Sequence, residues 1–239
     1  MISEEQIKIL ANKYQTIEEN VIREYFQHVF LSYFYQQEVA TNIYFKGGTA
    51  LRILYNSPRF SEDLDFTVSL IDVKATESLL IATLDQIERE NINVSLKEST
   101  PTSGGFLSII SFEGFGRVTD IQLEISMRKG ERRGDISAIS NDYLPAYNIV
   151  AFAQDQLVDE KIQALLDRKK PRDFYDLYFI LRANLLPAQK KNILHQALQT
   201  LQSTDLNFEK ELKRFLPKTH WAIIKDFKTT LKREINRFI

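Results

Sequence analysis

The chain has 239 residues, of which 44% are apolar, and its 31 Lys and Arg residues nearly balance its 32 Asp and Glu residues. This is enough apolar material for one large domain or two modest ones. The absence of cysteine excludes disulfides and thiolate zinc sites, and it favours a reducing, cytoplasmic location. No basic segment followed by an apolar run opens the chain, and no stretch approaches the roughly 18 apolar residues of a membrane span, so we expect no signal peptide and no membrane partner.

The charges are distributed unevenly along the chain. Residues 151–239 contain 17 Lys and Arg against 11 Asp and Glu, whereas residues 1–150 contain 14 against 21. An acidic half beside a basic, helical half is typical of a metal site next to a surface that binds a polyanion, although lysine-rich solvated helix faces would give the same balance. We therefore predict a catalytic domain at residues 1–150, which includes N-terminal helices, and a helical domain at residues 151–239.

Two helices are predicted near the start of the chain. Ser3 with Gln6, and Thr16 with Glu19, have the spacing of a capping box. The second helix is predicted over residues 17–39, where aromatic and aliphatic side chains recur at helical spacing. We interpret this aromatic stripe as core packing rather than as a platform for a cofactor or a base.

The segment 43–68 is the one around which the rest of the chain is organised. β-forming residues lead into Gly47 and Gly48, which predict a strand followed by a tight turn. Thr49 is predicted to cap a helix that begins at Ala50. The free N–H groups at such a helix start attract phosphate, and two glycines allow phosphate to approach closely.

A second strand in this segment contains a pair of carboxylates. Asp63 and Asp65 are two residues apart and therefore leave the same face of a strand, while Leu64 and Phe66 point to the opposite, buried face. Adjacent carboxylates repel each other unless a cation lies between them, and oxygen ligands suit Mg²⁺. A phosphate-binding turn before paired carboxylates predicts a site for metal-assisted phosphoryl or nucleotidyl transfer.

The loop before this strand and a later strand supply further candidates. Arg59 and Ser61 are predicted either to contact a triphosphate or to shape the loop. Strand-like alternation at residues 120–127 places Asp120 and Glu124 on one face. We choose Glu124 as the third metal ligand, with Asp120 as the alternative. Other predicted elements are a helix at residues 73–90, strands at 92–96, 106–112 and within 144–152, and helices from 154 onward that include 187–201, 208–215 and 219–238.

The helical half contains a further group of charged side chains. Lys161 and Arg168 are seven residues apart, so they project from one helix face and are suited to neutralise a triphosphate. Asp173 and Asp176 follow on the next helix. Ordinary surface ion pairing among these residues is the alternative interpretation. The three histidines are scattered, and neither a P-loop motif nor a G-x-S-x-G motif is present.

Three of these segments resemble motifs of the AbiEii/AbiGii toxin family. Gly47, Gly48 and Thr49, followed by residues 59–66 (R-F-S-E-D-L-D-F), resemble the first motif of that family. Residues 121–126 (I-Q-L-E-I-S) resemble its apolar-x-apolar-acid strand, with Glu124 where the family usually has Asp. Residues 160–177 are similar to its Lys-x-x-Ala-x-x-x-Arg and Arg-Asp-x-x-Asp-Leu motifs. The likeness covers about residues 17–182.

The resemblance implies an α+β protein with the minimal nucleotidyltransferase fold of the DNA polymerase β superfamily, in which helices flank a mixed β-sheet and a C-terminal helical domain completes the cleft. It implies an enzyme that uses Mg²⁺ or Mn²⁺ and an NTP, and that is the toxin of a type IV toxin–antitoxin or abortive-infection system with a cognate antitoxin. Its acceptor would be RNA, such as the 3′ end of tRNA. Lys161 would contact the triphosphate, and Asp173 or Asp176 would complete the active cleft.

Two alternatives stay open at this point. One is an enzyme of the same fold that modifies a protein or a small molecule such as an antibiotic. The other is a non-catalytic nucleotide-binding module. The presence of Gly48, Asp63 and Asp65 argues against the second alternative, because a module without activity would be expected to have lost the two aspartates.

Overall fold

The computed structural model describes residues 1–69, 72–127 and 130–239 and divides into two compact units. The first unit contains Met1–Asn56 and Phe60–Phe152, and the second contains Ser57–Arg59 and Ala153–Ile239. The second unit therefore begins two residues beyond the boundary expected from composition. It also includes Ser57–Arg59, from the middle of the segment 43–68, and the composition gave no indication of this.

The first unit is a mixed sheet with helices, as the predicted α+β class requires. Among the described residues the sheet has seven strands in the order β3-β4-β5-β2-β1-β7-β6. Strand β2 is parallel to β5 and β1 is parallel to β7, whereas the other neighbours are antiparallel. The elements are α1 (Glu4–Lys13), α2 (Glu18–Phe34), a 3₁₀ helix (Glu38–Asn42), β1 (Tyr44–Lys46), α3 (Gly47–Tyr55), β2 (Leu64–Val68), α4 (Val73–Arg89), β3 (Asn93–Thr102), β4 (Gly105–Gly114), β5 (Arg117–Met127), β6 (Gly134–Ile139) and β7 (Tyr147–Phe152).

The core of this unit forms where α2 packs on the apolar face of the sheet. The ring of Phe26 stacks on Phe112 with centroids 4.7 Å apart, and Phe34 lies 5.1 Å from Phe66. These side chains are fully buried, so the prediction that the aromatic stripe is core packing is confirmed. Burial of each such ring removes a large apolar area from water, which holds α2 firmly on the sheet.

The second unit is helical in the part of the chain that the structure describes. Its aromatic core brings Phe174, Phe208 and Phe227 together, with Phe208 and Phe227 at 4.9 Å. Its helices are α5 (Gln154–Arg168), α6 (Pro171–Arg182), α7 (Ile193–Ser203), α8 (Phe208–Leu212), α9 (Trp221–Lys225) and α10 (Phe227–Ile235), with 3₁₀ helices at Ala188–Lys190 and Lys218–His220. None of the helices described in either unit is long and apolar enough to cross a membrane.

Several local predictions were wrong at element ends. The capping box at Ser3 and Gln6 is present, but Thr16 does not cap α2, whose N-cap is Ile17. The Thr16 hydroxyl instead accepts a hydrogen bond from the Asn20 amide. Helix α2 ends at Phe34 rather than at residue 39. The helix predicted over residues 219–238 is interrupted at Asp226, whose backbone (φ −122°, ψ 48°) is not helical.

His28 on α2 supplies a test of the buried core. Its Nδ1 lies 2.7 Å from the Tyr147 hydroxyl, and burial lowers the pKa of the imidazole to about 4, with Glu24 raising it and Arg52 lowering it. Because the folded-state pKa lies below the ordinary value of 6.5, stability present above pH 6.5 is lost as the pH falls toward 4. At pH 5 we expect this group to cost about 2 kcal/mol relative to pH 7.5.

Urea unfolding at pH 7.5 and pH 5 measures this cost. The difference in unfolding free energy between the two pH values should shrink by that amount in His28→Asn, which has no group that titrates in this window. An equal pH dependence in the two proteins would contradict the assignment.

Candidate active site

Asp65 and Glu124 lie side by side on neighbouring parallel strands. The register of β2 and β5 pairs Asp65 with Glu124, and both residues are on the polar face of the sheet, while the flanking residues are buried. Two residues further on, the Thr67 hydroxyl donates to the Ser126 carbonyl and the Ser126 hydroxyl donates to the Phe66 carbonyl. These side-chain hydrogen bonds fix the two strands directly beside the carboxylate pair.

Lys46 continues this row on the next strand, and the sequence patterns did not identify it. The antiparallel register of β1 and β2 pairs Lys46 with Asp65, so the two side chains share a face. Lys46 is 7% exposed. The polar face therefore has Glu124, Asp65 and Lys46 at one level across three strands. The sequence signal that could have identified Lys46 is its position immediately before the two glycines.

Gly47 allows the Asp65 carboxylate to lie against the start of α3. Its φ is +85°, and a Cβ at this position would lie 2.0 Å from Asp65 Oδ2. Only glycine satisfies both the left-handed backbone and this close approach. The two glycines were predicted to form a turn before the helix, but Gly47 and Gly48 are its first residues and Lys46 is the N-cap.

Thr49 also has a different role from the predicted one. It lies inside the first turn of α3 and makes no cap; its hydroxyl donates to the backbone carbonyl of Asp63. Asp63 is half-buried and immediately precedes β2, and Ser61 is two residues earlier in the loop. The Thr49 side chain thus connects α3 to Asp63, the other aspartate of the predicted pair.

The register separates the two candidates for the third carboxylate. Asp120 is four residues before Glu124, about 13 Å away along the strand. Lys97 Nζ donates to both Asp120 oxygens at 2.8 and 2.9 Å, and this bonding, with help from Ser111, lowers the pKa of Asp120. Asp120 is thus paired at another level of the sheet, whereas Glu124 lies next to Asp65.

The donor set fits a hard divalent cation that a substrate helps to bind. In the described residues, no three Asp, Glu, His or Cys side chains are grouped closely enough to hold a metal ion by themselves. Magnesium, however, usually takes only one or two carboxylates from the protein and completes its shell with water and substrate phosphates. The adjacent positions of Asp65 and Glu124 suit that mode of binding.

In the second unit, Asp176 is the centre of a buried ion-pair cluster. Arg59 donates to both of its oxygens at 2.8 and 3.0 Å, and Lys161 Nζ donates to it at 2.8 Å. Burial by itself would raise the pKa of Asp176, but the two cations outweigh it and lower the pKa to about 2. Asp176 is 1% exposed. It therefore holds Arg59 and Lys161 in place.

Arg168 and Asp173 form a second pair in this unit. Arg168 donates to Asp173 at 2.6 Å, and Asp173 also accepts from the Lys170 backbone N–H at the start of α6. The Arg168 side chain is about half exposed. The buried Asp173 serves mainly as a helix cap.

Comparisons with known proteins give a consistent result. The chain matches the family described as "Nucleotidyl transferase AbiEii toxin, Type IV TA system" over residues 29–236. The chain belongs to the AbiEii family. It is therefore a nucleotidyltransferase of a type IV toxin–antitoxin family. Membership of that family implies a nucleotide substrate and an antitoxin partner.

Solved structures have the same fold at low sequence identity. A crystal structure described as a nucleotidyltransferase from H. pylori is 17% identical, with a TM-score of 0.62 over 93% of this chain and 99% of that one. JHP933 from Helicobacter pylori is also 17% identical, with a TM-score of 0.60 over 93% and 95% of the two chains. A comparison with curated proteins gives no significant match.

The contact between Gly47 and Asp65 predicts a specific sensitivity of this AbiEii chain. Gly47→Ala should lose about 100-fold in transfer activity, because the added methyl group displaces the Asp65 carboxylate by an ångström or more. Gly116→Ala is the matched control, since Gly116 also has a positive φ (+69°) but a methyl group added there would meet no atom within 4 Å. Both variants should lose about 1–2 kcal/mol from backbone strain.

Activity assays and urea unfolding of the two alanine variants distinguish these effects. Equal activity of the Gly47 and Gly116 variants would show that the approach of Asp65 to Gly47 is unimportant.

The buried cluster predicts a large effect on stability. Asp176→Asn should reduce the free energy of unfolding by about 3–5 kcal/mol, because it removes the carboxylate charge that is hydrogen-bonded to the buried Arg59 guanidinium. Asp159→Asn is the control: its pair with Lys190 has the same 2.8 Å distance but is exposed, so its loss should cost less than about 1 kcal/mol. Chemical denaturation of both variants measures the difference, and similar values would refute the structural role of Asp176.

Proposed function

We propose that this enzyme transfers a nucleoside monophosphate from an NTP to a hydroxyl of an RNA acceptor, by preference at the 3′ end of tRNA. The acceptor oxygen bonds to the α-phosphorus while the bond between the α- and β-phosphates breaks, and pyrophosphate leaves. The observation that carries the proposal is the pairing of Asp65 with Glu124 beside Gly47 at the start of α3. This arrangement combines two adjacent carboxylates with a helix N-terminus, which are the groups that a triphosphate and its cation require.

In this proposal Asp63, Asp65 and Glu124 hold Mg²⁺ or Mn²⁺. A divalent cation bound there would neutralise phosphate charge and favour ionisation of the acceptor hydroxyl. Glu124 is the more exposed of the paired carboxylates and accepts the hydroxyl proton. Lys46, in the same row, limits the repulsion between the carboxylates before substrate binds.

The triphosphate is bound by the backbone and by polar side chains. The N–H groups of Gly48 and its neighbours at the start of α3 attract anionic oxygens, and Ser61 supplies a hydroxyl close to Asp63 in the chain. Lys161 and Arg168 are proposed as further phosphate contacts. Arg59 is proposed to shape the loop rather than to bind nucleotide, because its guanidinium donates to both oxygens of the buried Asp176.

The basic composition of the second unit favours a nucleic acid as acceptor. Its helices and following segments hold an excess of six positive charges between residues 151 and 239. Phosphate backbones are bound largely through such charges. A protein or small-molecule acceptor, such as an antibiotic, would not require this excess, so RNA is the acceptor that we propose.

Labelling with radioactive nucleotides tests both the donor and the acceptor. The purified enzyme is incubated with each α-labelled NTP, with and without Mg²⁺, and with separate pools of tRNA, protein and small molecules. We expect label only in tRNA and only with the cation present. Label in the protein or small-molecule pool would refute the RNA acceptor, and undiminished transfer with a chelator would refute the metal.

The carboxylates are tested by neutral, isosteric substitutions. Asp65→Asn and Glu124→Gln should each reduce transfer at least 100-fold while the fold is retained, because each removes a charge from the reacting centre. Asp120→Asn should retain activity, since Asp120 pairs with Lys97 at a different level of the same strand face. Full activity in Asp65→Asn, or loss of activity in Asp120→Asn alone, would overturn the assignment.

A further inference from the structure

Three consecutive backbone carbonyls before β2 are held by two buried side chains. The Gln27 amide nitrogen donates to the carbonyls of Ser61 and Glu62, at 3.1 Å in each case. The next carbonyl, that of Asp63, accepts from Thr49. Gln27 and Thr49 are each 1% exposed. The path of the chain into Asp63 and Asp65 is thus defined by hydrogen bonds from α2 and α3.

The chemistry of the amide fixes the orientation of Gln27. Both of its neighbours are carbonyl oxygens, which only accept, so the NH₂ group and not the amide oxygen must face them. Each of its two N–H bonds then has one partner. Because the peptide unit is planar and trans, carbonyls that face α2 turn the following N–H groups, those of Glu62 and Asp63, to the opposite side of the segment.

Helix α2 is a rigid base for this contact. Its aromatic side chains are buried in the core, and one turn before Gln27 its Glu24 binds Arg52 of α3 at 2.6 and 3.0 Å. The Arg52 guanidinium also lies 3.5 Å from the centre of the Phe60 ring, and the Tyr143 hydroxyl donates to Glu24. One face of α2 therefore holds both α3 and the segment before β2.

We infer that Gln27 is a positioning residue for nucleotidyl transfer, which sets the placement of Asp63 and Asp65 through the carbonyls of Ser61 and Glu62. This inference rests on the proposed function, because it assumes that these aspartates act at the reacting centre. Gln27 is more than thirty residues from them in sequence and belongs to none of the motifs that identify the site. Its effect should fall on the rate of the reaction and not on nucleotide affinity.

The test replaces Gln27 by methionine, which has a similar length and shape but cannot donate. In Gln27→Met we expect kcat to fall at least tenfold while KM for the NTP changes less than about threefold, since small displacements of reacting groups have large effects on rate. Leu31→Ala is the control: Leu31 is buried one turn further along α2, so the variant loses stability while Gln27 still donates to the carbonyls of Ser61 and Glu62. Its kcat at 20 °C should equal that of the wild type.

Equal kcat values for wild type and Gln27→Met, or equal losses in Gln27→Met and Leu31→Ala, would overturn the inference. A second measurement is needed in case Gln27→Met does not fold or the wild-type enzyme shows no detectable transfer. In Gln27→Asn the amide is retained but withdrawn by about 1.5 Å, one carbon–carbon bond. Hydrogen–deuterium exchange at the amides of residues 62–65 should then accelerate at least tenfold, with exchange in α2 unchanged. Unchanged exchange at residues 62–65 would refute the positioning role, whereas an inactive wild type would refute only the proposed function.

Discussion

The approach of the Asp65 carboxylate to Gly47 is the constraint on which the site depends. The sheet register places Asp65 opposite Lys46, so its side chain projects over the point where β1 becomes α3. A side chain at Gly47 would occupy the same space as the carboxylate. A single glycine therefore allows an anionic group and a helix N-terminus to share one location, and the helix dipole stabilises the charge there.

Buried polar side chains of α2 also contribute to this arrangement. Apolar packing holds α2 on the sheet, but it makes no hydrogen bond to the segment before β2. Glu24 and Gln27 add directional bonds to Arg52 and to two carbonyls, and each bond is costly to break inside the protein. The core thus supplies stability, while these few hydrogen bonds connect α2 to α3 and to the segment that leads into β2.

Elements with a strong local pattern were predictable from sequence, and the exceptions have physical causes. Strand β5 alternates buried and exposed residues over most of its length, and the strand predicted at 120–127 lies within its observed range, Arg117–Met127. Strand β6 was missed because it is an edge strand with little burial, and its Ile136 is largely exposed. Thr16 had the spacing of a cap, but Ile17 is the N-cap of α2, and the Thr16 hydroxyl accepts a hydrogen bond from the Asn20 amide. Spacing along the chain does not reveal which residue occupies the cap position.

The site residues show the same division between local and long-range information. Asp63, Asp65 and the glycines could be proposed as site residues from the sequence because they lie within one short motif. The preference for Glu124 over Asp120 depends on pairing between strands 59 residues apart, and no spacing within β5 determines it. The sequence motif that contains Asp176 leaves two roles open: the carboxylate could contact substrate, or it could support other side chains. Its burial against Arg59, 117 residues away in the sequence, favours support, since a carboxylate bound by two cations has little capacity left for a metal ion.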